Sequence, residues 1–128
     1  MPKHTDRENP IQRSIIAYLR LVLPDCIIHH SPNEFGMSGA DVARQIAKHK
    51  HNGMLPGWPD LHVIADGAQF FLEVKAEGNS LTPAQKSVHA DLERHGQRVA
   101  VVRSIADVQE RLDDWGIPTL MRYRGVIS

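Results

Sequence analysis

One dipeptide, Asp66-Gly67, sets the register of the middle of this chain. It joins two β-rich runs, and Asp-Gly in that position favours a two-residue type I′ turn. Such a turn pairs Ala65 with Ala68, so Leu61 falls opposite Leu72 and Asp60 opposite Glu73. Directly opposed residues of an antiparallel pair point the same way, with Cβ atoms roughly 4.5–5.5 Å apart. Two carboxylates that close repel each other unless a cation lies between them. Lys75, two residues beyond Glu73, shares their face.

The alternation supports this register. One face collects Leu61, Val63, Ala65, Phe70, Leu72 and Val74; the other collects Asp60, His62, Ile64, Gln69, Phe71, Glu73 and Lys75. A slip by one residue would set Leu61 beside Glu73 and mix the faces, which burial opposes. The first face reads as core. On the second, Ile64 and Phe71 are expected to lie under another element.

At 128 residues the chain is long enough for one real core, and one domain is expected over 1–128, with a core of about 8–115. Its 15 basic and 15 acidic residues balance, so net charge does not announce a polyanion partner. A lone Cys26 excludes an internal disulfide framework and points to a reducing compartment. The polar start, Met-Pro-Lys-His-Thr-Asp-Arg-Glu, lacks a signal-peptide core, and no apolar run reaches ~18 residues. An intracellular, cytoplasmic protein is expected, or a viral one acting in a host cytoplasm.

Ile11, Ile15, Leu19, Val22 and Leu23 give a helical stripe over 8–23, closed by Pro24. Residues 26–30 read as a short strand. Ser38 and Asp41 resemble a capping box opening a helix to about Lys50, and Asn52-Gly53 stops it. Thr82, Pro83 and Gln85 supply an N-cap, a first-turn proline and an N3 glutamine for a helix from 83 to about 95, capped by Gly96. A strand over 97–102 and a helix over 105–115, opened by Ser104, follow. Residues 119–128 carry Arg122 and Arg124 as a basic tail or short strand. The order α-β-α-β-β-α-β-α predicts an α/β fold with a mixed sheet flanked by helices, the last strand running parallel to 69–75.

An aspartate at one strand start followed by Glu-x-Lys on the next is an arrangement suited to metal-assisted phosphodiester cleavage. Carboxylate oxygens are hard ligands for Mg²⁺, so Asp60 and Glu73 are candidate metal ligands, with the backbone carbonyl of Val74 as a third. A divalent ion lowers the pKa of a water and offsets charge building on phosphorus. Lys75 can orient the attacking water or stabilise that charge.

Pro59-Asp60 followed by Glu73-Val74-Lys75 resembles the PD-(D/E)xK nuclease motif, and the wider pattern is similar to its virus-type replication-repair nuclease (VRR-NUC) branch. Four blocks carry the likeness: Asn33-Glu34, the run from Gly53 to Leu61, Glu73-Val74-Lys75, and Leu81-Thr82-Pro83-Ala84-Gln85. The resemblance, over about residues 8–105, implies a restriction-endonuclease-like core. It implies a Mg²⁺-dependent DNA endonuclease, with Mn²⁺ as a substitute and no organic cofactor. It also implies that Asp60 and Glu73 bind metal, that Lys75 is catalytic, that Gln85 stands near the active site, and that Glu8 assists the metal. By the same likeness, a lone domain of this kind is expected to act as a homodimer on branched, Holliday-junction-like DNA in repair.

Other readings stand beside this one. Gln85 is equally accounted for as a capping-box residue, Glu8 as a helix-start carboxylate, and Glu73 with Lys75 as an exposed strand pair. Arg44, Lys48, Lys50, His49 and His51 form either a solvated face or a phosphate-contacting one, to which Lys86, Arg122 and Arg124 would add. His30 is a further candidate for substrate contact, and Trp58 either packs or stacks on a base. The eight histidines lack cysteine partners at zinc spacing. The rival functions are a nuclease-like module that binds nucleic acid or protein without cleaving, and a nuclease whose metal is held by His29, His30, His49 or His51. A phosphotransferase would need a glycine-rich phosphate loop, which is missing.

Overall fold

A computed structural model describes residues 6–31, 44, 47, 48, 51 and 53–120. The described elements are α1 (Glu8–Val22), β1 (Ile27–His30), β2 (Leu61–Ala65), β3 (Ala68–Val74), α2 (Pro83–Arg94), β4 (Arg98–Val102) and α3 (Ile105–Asp114). Arg44, Ala47, Lys48 and His51 are helical, in line with the helix expected there. Ser38, Asp41 and the rest of that helix lie outside the described residues, as do Asn33, Glu34 and 121–128.

The four strands form one sheet in the order β1-β2-β3-β4. β1 and β3 flank β2 antiparallel, and β4 runs parallel to β3. The hairpin has the predicted register: Ala65 pairs with Ala68 and Leu61 with Leu72. Asp66 at φ 52° and Gly67 at φ 79° supply the two positive dihedrals that a type I′ turn requires. Cys26, expected in the first strand, lies just before β1.

Every core-face residue of the hairpin is buried, and α1 and α3 close over that face with Ile15, Leu19, Val22, Val108 and Leu112. α2 covers the opposite face, where Phe71, Val88, Leu92 and Val99 make a second cluster with Trp58 against it. That cover stops over β3 and β4. Ile64, expected to be covered, is 39% exposed, and its β1 partner Ile27 is exposed too. Strict alternation shows which way a side chain points but not how far a helix extends across the sheet.

The capping residues act as predicted. Thr82 Oγ1 accepts from Gln85 N while Gln85 Oε1 accepts from Thr82 N, so the capping box of α2 is complete. Ser104 caps α3 through Asp107 N.

Candidate functional site

The site is built where β2 begins and β3 ends. Pro59 leads into Asp60, immediately before Leu61 of β2. There Asp60 Oδ2 accepts from the Val74 amide at 2.8 Å, so the aspartate caps an orphan donor of the neighbouring strand. Glu73 stands close enough to act on the same carboxyl electrostatically. The local cause is the Asp66-Gly67 register, which sets Asp60 level with the end of β3.

Glu73 is 1% exposed and Lys75 8%, unusual burial for either residue type. Burial and the adjacent Glu73 push the Asp60 carboxyl up to about 7. Burial likewise pushes Glu73 up to about 7, against the pull of Asp60 and of the Lys75 ammonium. Glu8 adds negative charge felt by both. Burial and mutual repulsion thus disfavour two bare negative charges here, and a cation between the carboxyls would relieve both.

Two side chains of α2 hold Glu73. Gln85 Nε2 donates to Oε2 at 3.2 Å while its own Oε1 stays in the capping box, so the box aims the amide at the acid. His89 Nε2 lies 3.0 Å from Glu73 Oε1, and the ring is itself buried. Desolvation lowers the His89 pKa, so burial favours a neutral donor over an ion pair at this contact. With Glu73 ionised, Oε1 can only accept, which places the proton on Nε2. Sequence pattern alone does not single out His89, although its i+4 spacing from Gln85 puts both on one helix face.

The loop before β2 is held against the same helix. Gly57 adopts φ +91°, and a Cβ there would stand 2.5 Å from the Ala84 carbonyl oxygen and 2.9 Å from Gln85 N. Only glycine lets this backbone approach α2 so closely. Trp58 packs edge-on against Phe71 at 5.5 Å, so of its two sequence readings packing is the one realised.

Glu8 reaches the far side of the site. Its Oε2 accepts from Ala76 N at 3.3 Å and from Asn79 Nδ2 at 3.0 Å. His30 sits at the rim, its Nδ1 3.1 Å from Gln12 Nε2 and 3.4 Å from the Asp60 carbonyl. Lys86 is exposed on α2 beside Gln85, and Arg44 and Lys48 are exposed on their helical stretch; Lys50, His49, Arg122 and Arg124 lie outside the described residues. A cavity of about 270 Å³ at the opposite, turn end of the hairpin is lined by Leu23, Cys26, Asp66 and Leu120 and contains none of these groups.

Among the described residues, no three His, Cys, Asp or Glu side chains form a ready-made metal cage. The donors present still suit a hard cation. Two adjacent carboxyls whose charged forms are disfavoured by burial would gain from a divalent ion, and Mg²⁺ commonly binds through one or two carboxylates with waters completing its shell.

A mixed four-stranded sheet with helices on both faces and paired acids beside a lysine is a restriction-endonuclease-like core. Residues 23–106 match the family model of the VRR-NUC domain, and the chain belongs to that family. A solved VRR_NUC domain protein is 29% identical, covering 88% of this chain and 90% of its own at a TM-score of 0.65. A second solved VRR_NUC domain, 22% identical, shares the fold at a TM-score of 0.60, over 85% of this chain and 97% of its own. No curated protein matches the chain. The matched stretch contains Asp60, Glu73, Lys75, Gln85 and His89 but begins after α1, so Glu8 falls outside it. Among the described residues, no helix is long and apolar enough to cross a membrane.

Proposed function

We propose that this chain is a divalent-metal-dependent endonuclease that hydrolyses phosphodiester bonds in DNA. What supports the reading is the meeting of the half-buried Asp60 with the buried Glu73 beside Lys75, within a nuclease-family fold. In this reading Asp60, Glu73 and the Val74 carbonyl hold Mg²⁺, or Mn²⁺ in its place, and Glu8 assists from α1. The bound ion supplies charge neutralisation and acidifies a water. Asp60 stays oriented through the Val74 amide, and Glu73 through Gln85 and His89. Lys75, desolvated and cationic, orients the attacking water or stabilises negative charge on the scissile phosphate. Arg44, Lys48, Lys50, Lys86 and His30 are proposed contacts to the nucleic-acid strand.

The finer reading, by family likeness, is a homodimer that selects branched, junction-like DNA. A panel of single-stranded, duplex, flap and four-way substrates with Mg²⁺ or Mn²⁺ tests both levels. Cleavage should vanish in Glu73→Ala and Lys75→Ala while the fold persists by circular dichroism. Wild-type protein that cuts no substrate but binds them would leave a nuclease-like binding module in its place.

A further inference from the structure

We propose that Arg7 and Arg103 form a two-arginine clamp for a backbone phosphate of the nucleic-acid strand, on the rim of the candidate site. The proposal rests on the nuclease reading above and adds a binding subsite to it. Arg7 lies just before α1, and its Nη2 donates to the Glu77 carbonyl at 3.2 Å and to Asn79 Oδ1 at 3.3 Å. Arg103 lies just after β4, and its Nη2 donates to the Asn79 carbonyl. Two guanidinium groups, far apart in the chain, therefore meet at one turn residue.

That turn adjoins the reactive groups. Asn79 also donates to Glu8 Oε2, and the same oxygen takes the amide of Ala76, next to Lys75. The Lys75 amide in turn donates to the carbonyl of Val102, next to Arg103. The clamp thus stands beside the end of β3, on the side where Glu8 reaches in.

The charge balance is what points to an anion. The acceptors that hold both arginines are neutral, and among the described residues neither guanidinium pairs with a carboxylate. Each contact uses one nitrogen of the fork, leaving the rest of the planar donor set for a bidentate phosphate. Two like charges anchored on one residue repel, and an anion between them relieves this. The site also needs such a group. Asp60, Glu73 and Glu8 repel an incoming phosphodiester, and fixed cations beside them offset that repulsion and set where the strand lies.

The test compares Arg7→Gln/Arg103→Gln with Arg7→Lys/Arg103→Lys. Glutamine keeps an amide donor to the turn but removes the charge; lysine keeps the charge. Binding of fluorescein-labelled duplex is followed against salt in Ca²⁺, and Mn²⁺ binding by calorimetry. The glutamine variant should bind duplex roughly tenfold more weakly, with the log K against log salt slope reduced by about one for each arginine. The lysine variant should keep the wild-type slope, and Mn²⁺ affinity should be unchanged in both. An unchanged slope in the glutamine variant of an enzyme that still cleaves overturns the clamp alone. Lost Mn²⁺ binding with the slope intact also overturns it, because the arginines then only brace the turn. Wild-type protein that binds no oligonucleotide sinks the clamp and the nuclease reading together.

Discussion

His89 of α2 and Glu73 of β3 meet at 3.0 Å with both side chains nearly withdrawn from solvent, so the helix fixes one carboxylate oxygen while Gln85 fixes the other. Removing the imidazole leaves a buried acceptor without its donor, a cost of about 1–3 kcal/mol when Glu73 is ionised. His89→Leu is therefore expected to weaken Mn²⁺ binding by roughly 10–100-fold, the usual effect of deleting a group that orients a metal ligand. His89→Gln, which can still donate, should recover much of that loss. Calorimetric titration of both variants checks this; equal affinity in His89→Leu and wild type would deny His89 any orienting role.

Gly57 is expected to tolerate no side chain. Alanine would bring its Cβ to 2.6 Å from the Ala84 carbonyl carbon at a dihedral of +91°. Backbone strain and overpacking together should lower stability by at least about 2 kcal/mol. Relief comes only by parting the loop from α2, which moves Asp60 away from Gln85 and Glu73. Urea unfolding and cleavage rate should therefore fall together in Gly57→Ala, while Gly116→Ala, strained at φ +70° but with open space around it at the far end of α3, should lose stability and retain its cleavage rate.

The metal-free protein should lose stability as pH rises from about 5 to 8. Asp60 and Glu73 are raised from 3.8 and 4.5 to about 7, so the folded state holds more protons than the unfolded chain between those values. A raised carboxyl leaves stability intact below its unfolded pKa and subtracts from it as pH climbs through the folded one. Melting temperature against pH, in chelator, should slope downward in that window, and Glu73→Gln should flatten the slope. Added Mn²⁺ should reverse the loss at pH 8 and have little effect at pH 5. A metal-free melting temperature that rises across the window would contradict the raised values of Asp60 and Glu73.

Much of this site was legible because it is local. Asp66-Gly67 fixes the hairpin register through backbone dihedrals alone, and the register places Asp60 level with Glu73. The capping box was legible for the same reason, since Thr82 and Gln85 act within one helical turn. His89 was not, because its partner lies on another element and a half-polar helix face has many reasons to carry a histidine. The exposure of Ile64 was hidden likewise: alternation orients a side chain, but the reach of α2 across the sheet is a tertiary fact. Asn79 reads as an ordinary turn residue until Glu8, Arg7 and Arg103 arrive from both ends of the chain.

Because Asp60, Glu73 and Lys75 belong to one hairpin, the proposed reactive groups travel together in any rearrangement of the gene that keeps that hairpin whole. Their tuning does not travel with them. Gln85 and His89 come from the helix behind the sheet, and Glu8 from the helix in front, so under the proposed function drift in either helix alters metal preference or pH response while the hairpin residues stay fixed. A lineage of such domains could diversify its chemistry from the outside inward, with the hairpin as its unchanging part.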